Sequence, residues 1–238
     1  MPHEQMSERK AAAYLHLDIR KVVKLAARGQ IPCRKVAGKF VFHKGDLDHW
    51  VETQMPELDK GRLAGIERGV KAHHGMPEKE LEVWPLIPPG GIAVPLAART
   101  RDGVIRDLVG LAEQNELVVS REDLIAEVLK REELCSTALA PGVALPHPRR
   151  PLPYDIAASF VVVGLTASGI PFGAEDGSQT RLFFLICCKD ERTHVHVLAR
   201  LARMLYDRAS VEELLASESA DHLRRLLLAR EKAAVAEA

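Results

Sequence analysis

Arg131-Glu132-Glu133-Leu134-Cys135-Ser136-Thr137, followed by Gly142-Val143-Ala144-Leu145-Pro146-His147, is the stretch on which the fold of this chain turns. A charged helix end runs into two hydroxyl residues, then a glycine, a short apolar run and a histidine between Pro146 and Pro148. Neutral imidazole is a good nucleophile near pH 7, and a phosphorylated ring nitrogen is labile enough to pass its phosphoryl group on. Pro148 biases the backbone of His147 toward extended geometry, so the ring is presented at a fixed angle, which favours in-line displacement.

Outward from this stretch, residues 96–232 alternate helical and strand patterns. Helical spacing covers Asp102 to Asn115, and Ser120 caps a helix from Arg121 to Arg131. Ala157 to Val163 and Leu182 to Cys188 are unbroken apolar runs of strand length, as a sheet covered on both faces requires. Helices at about 191–206, 210–216 and 219–230 close the chain. His194 lies in the first turn of one of them, behind Asp190 as N-cap, where backbone N–H groups favour a dianion. His196, two positions on, is rotated by about 200° and cannot share that site. Leu198 and Leu201 place the His194 face toward the interior.

The two histidine segments resemble the enzyme IIA family of the fructose, mannitol and nitrogen-related type, in which R-E-x-x-x-S-T precedes G-[IV]-A-[IL]-P-H. Thr193-His194-Val195-His196-Val197-Leu198 through Leu201-Ala202 looks like that family's second-histidine helix, and the likeness spans most of residues 96–230. The resemblance implies an α/β domain, a mixed sheet flanked by helices. It implies that His147 carries phosphate received from a histidine-containing phosphocarrier protein, with His194 as its partner in the site. Arg131 is the matching position for charge stabilisation, and Ser136 and Thr137 would donate hydroxyl hydrogen bonds to phosphoryl oxygens. Against these stand plainer roles: for Arg131 a solvated ion pair with Glu127 or Glu132, for Ser136 and Thr137 loop or cap duty. The chain also departs from the family. Ala138 and Ala140 stand where glycines are common, and Pro148-Arg149 stands in place of Gly-Lys. Pro148 removes a backbone donor, so slow phosphate acceptance, or a docking surface that no longer turns over, is the alternative.

The first fifty-five residues read differently. Ser7 caps a helix running through Ala11-Ala12-Ala13-Tyr14-Leu15, and Asp18 caps a second from Ile19 to Arg28, ended by Gly29. Arg20, Lys21, Lys24 and Arg28 recur at three- and four-residue spacings, which puts most of them on one exposed stripe. Ile31 to Val36 and Lys39 to Phe42, broken by Ala37-Gly38, form a hairpin carrying Arg34, Lys35 and Lys39, and Lys44 to Val51 forms a third helix. Ala12-Ala13-Tyr14-Leu15, Gly29-x-Ile31-Pro32 and Phe40-x-Phe42 running into Asp46-Leu47-x-x-Trp50 resemble the excisionase-like and MerR-like helix-turn-helix family. That resemblance implies double-stranded DNA as partner. The second helix would enter the major groove with Arg20, Lys21, Lys24 and Arg28, and a wing bearing Arg34, Lys35 and Lys39 would track phosphate. The charge distribution agrees: the whole chain is neutral, yet residues 7–44 carry a net +8 and residues 95–230 a net −2.

Between the halves, residues 56–95 read as a linker, with prolines at 56, 77, 85, 88, 89 and 95 and the pair Gly90-Gly91. Leu63, Ile66 and Val70, with Gly61, Gly65 and Gly69, outline a short helix whose small-residue face would pair two chains into a homodimer; a flexible basic tether is the alternative. No apolar run is long enough for a membrane span, and no leader pattern opens the chain, so a cytoplasmic protein without membrane contact is expected. Cys33, Cys135, Cys187 and Cys188 show no C-x-x-C pairing and read as reduced. No metal or cofactor is expected, since a zinc site from His147, His194 and His196 would need two rings that point apart. The halves together predict a regulator in which phosphorylation of His147 modulates DNA or partner binding. A phosphotransfer component without DNA binding and a catalytically silent enzyme IIA-like sensor are the alternatives.

Overall fold

The structure, a computed structural model, describes residues 5–15, 17–54, 60–74, 82–139, 142–174 and 176–236, without the side chains of residues 48, 49, 52, 53 and 70–74. The chain divides into two compact units, residues 1–81 and 82–238.

The first unit holds β1 (Gln5–Ser7), α1 (Glu8–Tyr14), α2 (Ile19–Ala27), β2 (Arg34–Val36), β3 (Lys39–His43), α3 (Lys44–Gln54) and α4 (Lys60–His74). Its caps are those the sequence predicts. Ser7 Oγ accepts from the Lys10 amide at 3.4 Å and Asp18 Oδ1 from the Arg20 amide at 2.8 Å. Gly29 terminates α2 at φ +67°, a conformation open to glycine because it lacks Cβ. Ala37 at φ 48° and Gly38 at φ 82° make the two-residue turn of the hairpin, with positive φ at both positions, as the right-handed twist of the strands demands. The strand β1 is an addition: it pairs antiparallel to β3 through Met6 and Phe42, giving the sheet order β1-β3-β2. Met6 and Phe42 are both wholly buried, and Val22, Ile31, Leu47 and Leu63 of the same unit are buried as well.

Helix α4 occupies part of the stretch read as a linker. At Gly69 it packs against α1 of the same chain, because a Cβ there would stand 2.5 Å from the Tyr14 carbonyl oxygen. The feature that suggested pairing of two chains is thereby accounted for at Gly69; the Val70 side chain lies outside the described residues. Gly69→Ala is expected to destabilise this unit by about 1–3 kcal/mol through overpacking, more than the ~1 kcal/mol that alanine gains in helix propensity. Faster hydrogen exchange of α1 and α4 amides would register the loss.

The second unit holds a 3-10 turn (Trp84–Leu86), β4 (Ile92–Leu96), α5 (Arg101–Gln114), α6 (Arg121–Leu134), β5 (Val143–Ala144), β6 (Phe160–Ile170), β7 (Thr180–Cys187), α7 (Glu191–Met204), α8 (Arg208–Leu215) and α9 (Ala220–Ala236). Its sheet has the order β4-β6-β7-β5, antiparallel at β6/β7 and parallel at β4/β6 and β5/β7. This is the mixed sheet flanked by helices that the sequence predicts. Phe160, Val162, Phe183 and Leu185 join Leu108 of α5 and Val128 of α6 in one core cluster. The alternate residues of the same strands, among them Val161, Phe184 and Ile186, are equally buried, so both faces of the sheet are covered.

Residues 82–95, also read as linker, form part of this unit. Pro95 sits on the edge strand β4, where the ladder is irregular between Ala93 and Leu96 and a missing N–H is tolerated. Glu231 of α9 accepts from the amides of Val83 at 2.5 Å and Trp84 at 2.8 Å, and pairs with the buried Arg200 of α7 at 3.5 Å. Burial raises the Glu231 carboxyl pKa, while those amides and Arg200 pull it back. Arg224 donates to the carbonyls of Pro88 and Pro89 at 2.8 and 2.7 Å and lies over the Trp84 ring at 5.1 Å. All four cysteines are free, and burial holds the Cys187 thiol well above its ordinary pKa.

Candidate active site

Strands β5 and β7 are adjacent and parallel, so the chain leaves both at the same edge of the sheet. Three residues beyond β5 stands His147; beyond β7 the chain turns into α7, whose first turn carries His194. The Ile186 amide donates to the Pro146 carbonyl at 3.0 Å and ties the two exits together. The imidazoles consequently meet, with ring centroids 5.0 Å apart and planes tilted by 58°. They are 3% and 4% exposed, respectively.

The orientation of each ring has a local cause. His147 Nδ1 lies 2.7 Å from the Leu145 carbonyl oxygen. A carbonyl can only accept, so in the neutral ring Nδ1 carries the proton and Nε2 the lone pair. His194 is set by the start of α7, where Asp190 accepts from the Thr193 amide at 2.9 Å and from the Thr193 hydroxyl at 2.8 Å. His196, 1% exposed, sits on the same helix but is rotated away from His194 by about 200°.

Arg131 is not a solvated ion-pair residue. It is 4% exposed, and its Nη1 donates to the Cys135 carbonyl at 2.8 Å, closing the C-terminal end of α6. Its Nε is buried without a hydrogen-bond partner among the described residues. Glu127 pairs instead with Lys130 at 3.6 Å. Ser136 and Thr137 turn their hydroxyl protons into the protein: Ser136 Oγ donates to the Phe172 carbonyl at 3.0 Å, and Thr137 Oγ1 to Glu132 Oε2 at 2.6 Å. Both therefore have the loop duty weighed above, and their hydroxyl protons are already committed. Ala138 forms a bridge with Ala144, while Ala140 lies outside the described residues.

Sequence reasoning missed Glu132. It is 3% exposed and accepts from both the amide (2.9 Å) and the hydroxyl of Thr137. Burial raises its carboxyl pKa; the two bonds from Thr137, the neighbouring Ser136 hydroxyl dipole and the Arg131 charge oppose that shift. The signal was present in the motif, as the acid that accompanies Arg131 and precedes Thr137 by five positions.

In the first unit, Arg20, Lys21, Lys24 and Arg28 on α2 and its C-cap are all exposed, as are Arg34, Lys35 and Lys39 on the hairpin. Lys35 lies over the Phe40 ring at 5.9 Å. Among the described residues no helix is long and apolar enough to cross a membrane, and no three His, Cys, Asp or Glu side chains cluster as metal ligands.

Comparison with known proteins matches residues 86–229 to the family "Phosphoenolpyruvate-dependent sugar phosphotransferase system, EIIA 2", and residues 6–55 to "Helix-turn-helix domain". A nitrogen regulatory protein of Bradyrhizobium diazoefficiens is 30% identical over 150 residues, which is 62% of this chain and 95% of that protein. The PTS system fructose-specific EIIABC component of Bacillus subtilis is 24% identical over 143 residues, and there the match covers 59% of this chain but only 22% of that protein. The crystal structure of nitrogen regulatory protein IIA-Ntr from Neisseria meningitidis shares the fold, with a TM-score of 0.55 at 24% identity over 61% of this chain and 98% of that one.

Proposed function

The chain belongs, through residues 86–229, to the EIIA 2 family of the phosphoenolpyruvate-dependent sugar phosphotransferase system, and from that membership we propose a phosphotransfer-linked regulator. A histidine-containing phosphocarrier protein loads a phosphoryl group on His147, and the loaded state alters how the helix-turn-helix domain at residues 6–55 engages double-stranded DNA or a partner. The observation that carries this reading is the meeting of the His147 and His194 rings at 5.0 Å where the chain leaves β5 and β7.

The chemistry follows from the orientation of His147. The Nε2 lone pair attacks phosphorus on the donor's phosphohistidine, a new N–P bond forms, and the donor's N–P bond breaks with its electron pair returning to the donor ring. The Leu145 carbonyl, already accepting from Nδ1–H, stabilises the positive charge that develops on the His147 ring. His194, at a helix N-terminus, supports the incoming dianion together with the backbone dipole. Arg131 contributes a buried positive charge to the segment that leads to His147. Phosphorylation adds a charge of about −2 at a closely packed position, which is the change a regulated contact would read.

Incubation of the full chain with the general phosphotransferase proteins and labelled phosphoenolpyruvate should label it through an acid-labile, alkali-stable bond. A chain that stays unlabelled refutes the transfer. It would favour the silent-sensor reading, which draws on buried Pro148 beside His147.

A further inference from the structure

We propose that Glu132 is a positioning residue that sets the tautomer and aim of His147 through a hydrogen-bonded pedestal in which Glu132 grips Thr137, Thr137 holds Leu145, and Leu145 holds the ring. The inference concerns the same site as the proposed function and rests on that reading for its catalytic consequence, although the tautomer itself does not.

Each link has a measured length. Glu132 takes the Thr137 amide at 2.9 Å and the Thr137 hydroxyl at 2.6 Å, one on each carboxylate oxygen. The Thr137 carbonyl accepts from the Leu145 amide at 3.0 Å, and the Leu145 carbonyl receives His147 Nδ1 at 2.7 Å. Leu139 donates to Val143 at 3.0 Å, and Ala138 bridges Ala144, so residues 137–139 and 143–145 run as a miniature antiparallel ladder. His147 stands just beyond the end of that ladder. On its other side the strand is held to β7 through Ile186 and Pro146.

That ladder only adds residues 137–139 to the free side of β5, and so short a pairing fixes their register weakly. Glu132 supplies the anchor from the last turn of α6. The link is mechanical rather than inductive: the Thr137 N–H that meets the carboxylate and the Thr137 C=O that meets Leu145 belong to different peptide units. What Glu132 fixes is therefore the position of the Leu145 carbonyl, and through it which imidazole nitrogen bears the proton. A displacement of about 1 Å at a reacting group is enough to cost roughly 100-fold in rate.

The test is the ¹⁵N spectrum of the His147 ring in the full chain at neutral pH, beside the rate of transfer from the phosphorylated phosphocarrier. The wild type should show the Nδ1–H tautomer. Glu132→Ala should show a mixture with Nε2–H and transfer slowed roughly 10- to 100-fold, with the KM for the phosphocarrier unchanged. Glu132→Gln, which retains an acceptor for the Thr137 amide and an NH₂ that can donate to its hydroxyl, should restore the wild-type tautomer. Should Glu132→Ala fail to fold, Thr137→Val takes its place and should likewise populate Nε2–H. A folded Glu132→Ala or Thr137→Val chain with an undiluted Nδ1–H signal overturns the proposal. A variant that loses that signal in a protein whose wild type never accepts phosphate leaves the pedestal standing and refutes only the transfer.

Discussion

His147→Ala is expected to abolish labelling from phosphoenolpyruvate, a fall of at least about 10³-fold, since it removes the nucleophile itself rather than a group that assists it. His194→Ala is expected to behave differently. Its ring, 5.0 Å from that of His147, lies where hydrogen bonds to phosphoryl oxygens would form, and loss of one such donor costs on the order of 10²-fold while leaving the label on His147. The two variants therefore separate acceptor from stabiliser. Rates of label transfer, with circular dichroism to check that the fold is retained, would measure both. Label persisting in His147→Ala at the wild-type rate would move the phosphoryl group to another residue and dissolve the site described above.

The second large effect is expected in the other unit. Lys21→Glu combined with Lys24→Glu reverses two charges on the exposed stripe of α2. Surface substitutions of this kind leave stability within about 0.5 kcal/mol, so the fold should be unaffected. If α2 lies against phosphates, two counterion-releasing contacts are lost and two repulsions replace them. Each contact contributes about 0.9 to the slope of log K against log salt, so the slope should flatten by about 2 and duplex affinity at moderate salt should fall on the order of 10²- to 10³-fold. Fluorescence anisotropy on a labelled duplex across a salt series provides the measurement. An unchanged slope would mean that α2 does not face the duplex, while phosphate transfer to His147 should proceed at the wild-type rate in either case.

What was legible in the sequence depended on how local the cause was. Ser7, Asp18 and Asp190 act on amides two or three residues away, so their caps could be read directly. The central strands β6 and β7 showed in the sequence through their doubly buried apolar runs, residues 160–163 and 182–187. Residues 157–159, by contrast, lie outside β6, and the polar continuation of β6 to Ile170 carried no such signal. Strand β1 could not be seen: three residues with Met6 as their one buried side chain have no period, and only β3 makes them a strand. Strand β4 was hidden by Pro95 amid other prolines, which punctuate a tether and an edge strand alike. The pairing of His147 with His194 came from a resemblance, since spacing alone says nothing of two strand ends on one sheet edge. Glu132 stayed invisible because its partner, Thr137, comes within reach only where the chain reverses after α6. Burial of Arg131 was likewise a tertiary outcome, decided by what packs around the helix end.

The grip of α9 on residues 83–89, through Glu231 and Arg224, brings the covalent beginning and end of the second unit side by side. A cassette whose two tails emerge together can be spliced behind or ahead of another domain without stretching either neighbour. That geometry gives a physical reason why the same building block can follow a helix-turn-helix here and make up about a fifth of a much longer polypeptide in Bacillus subtilis.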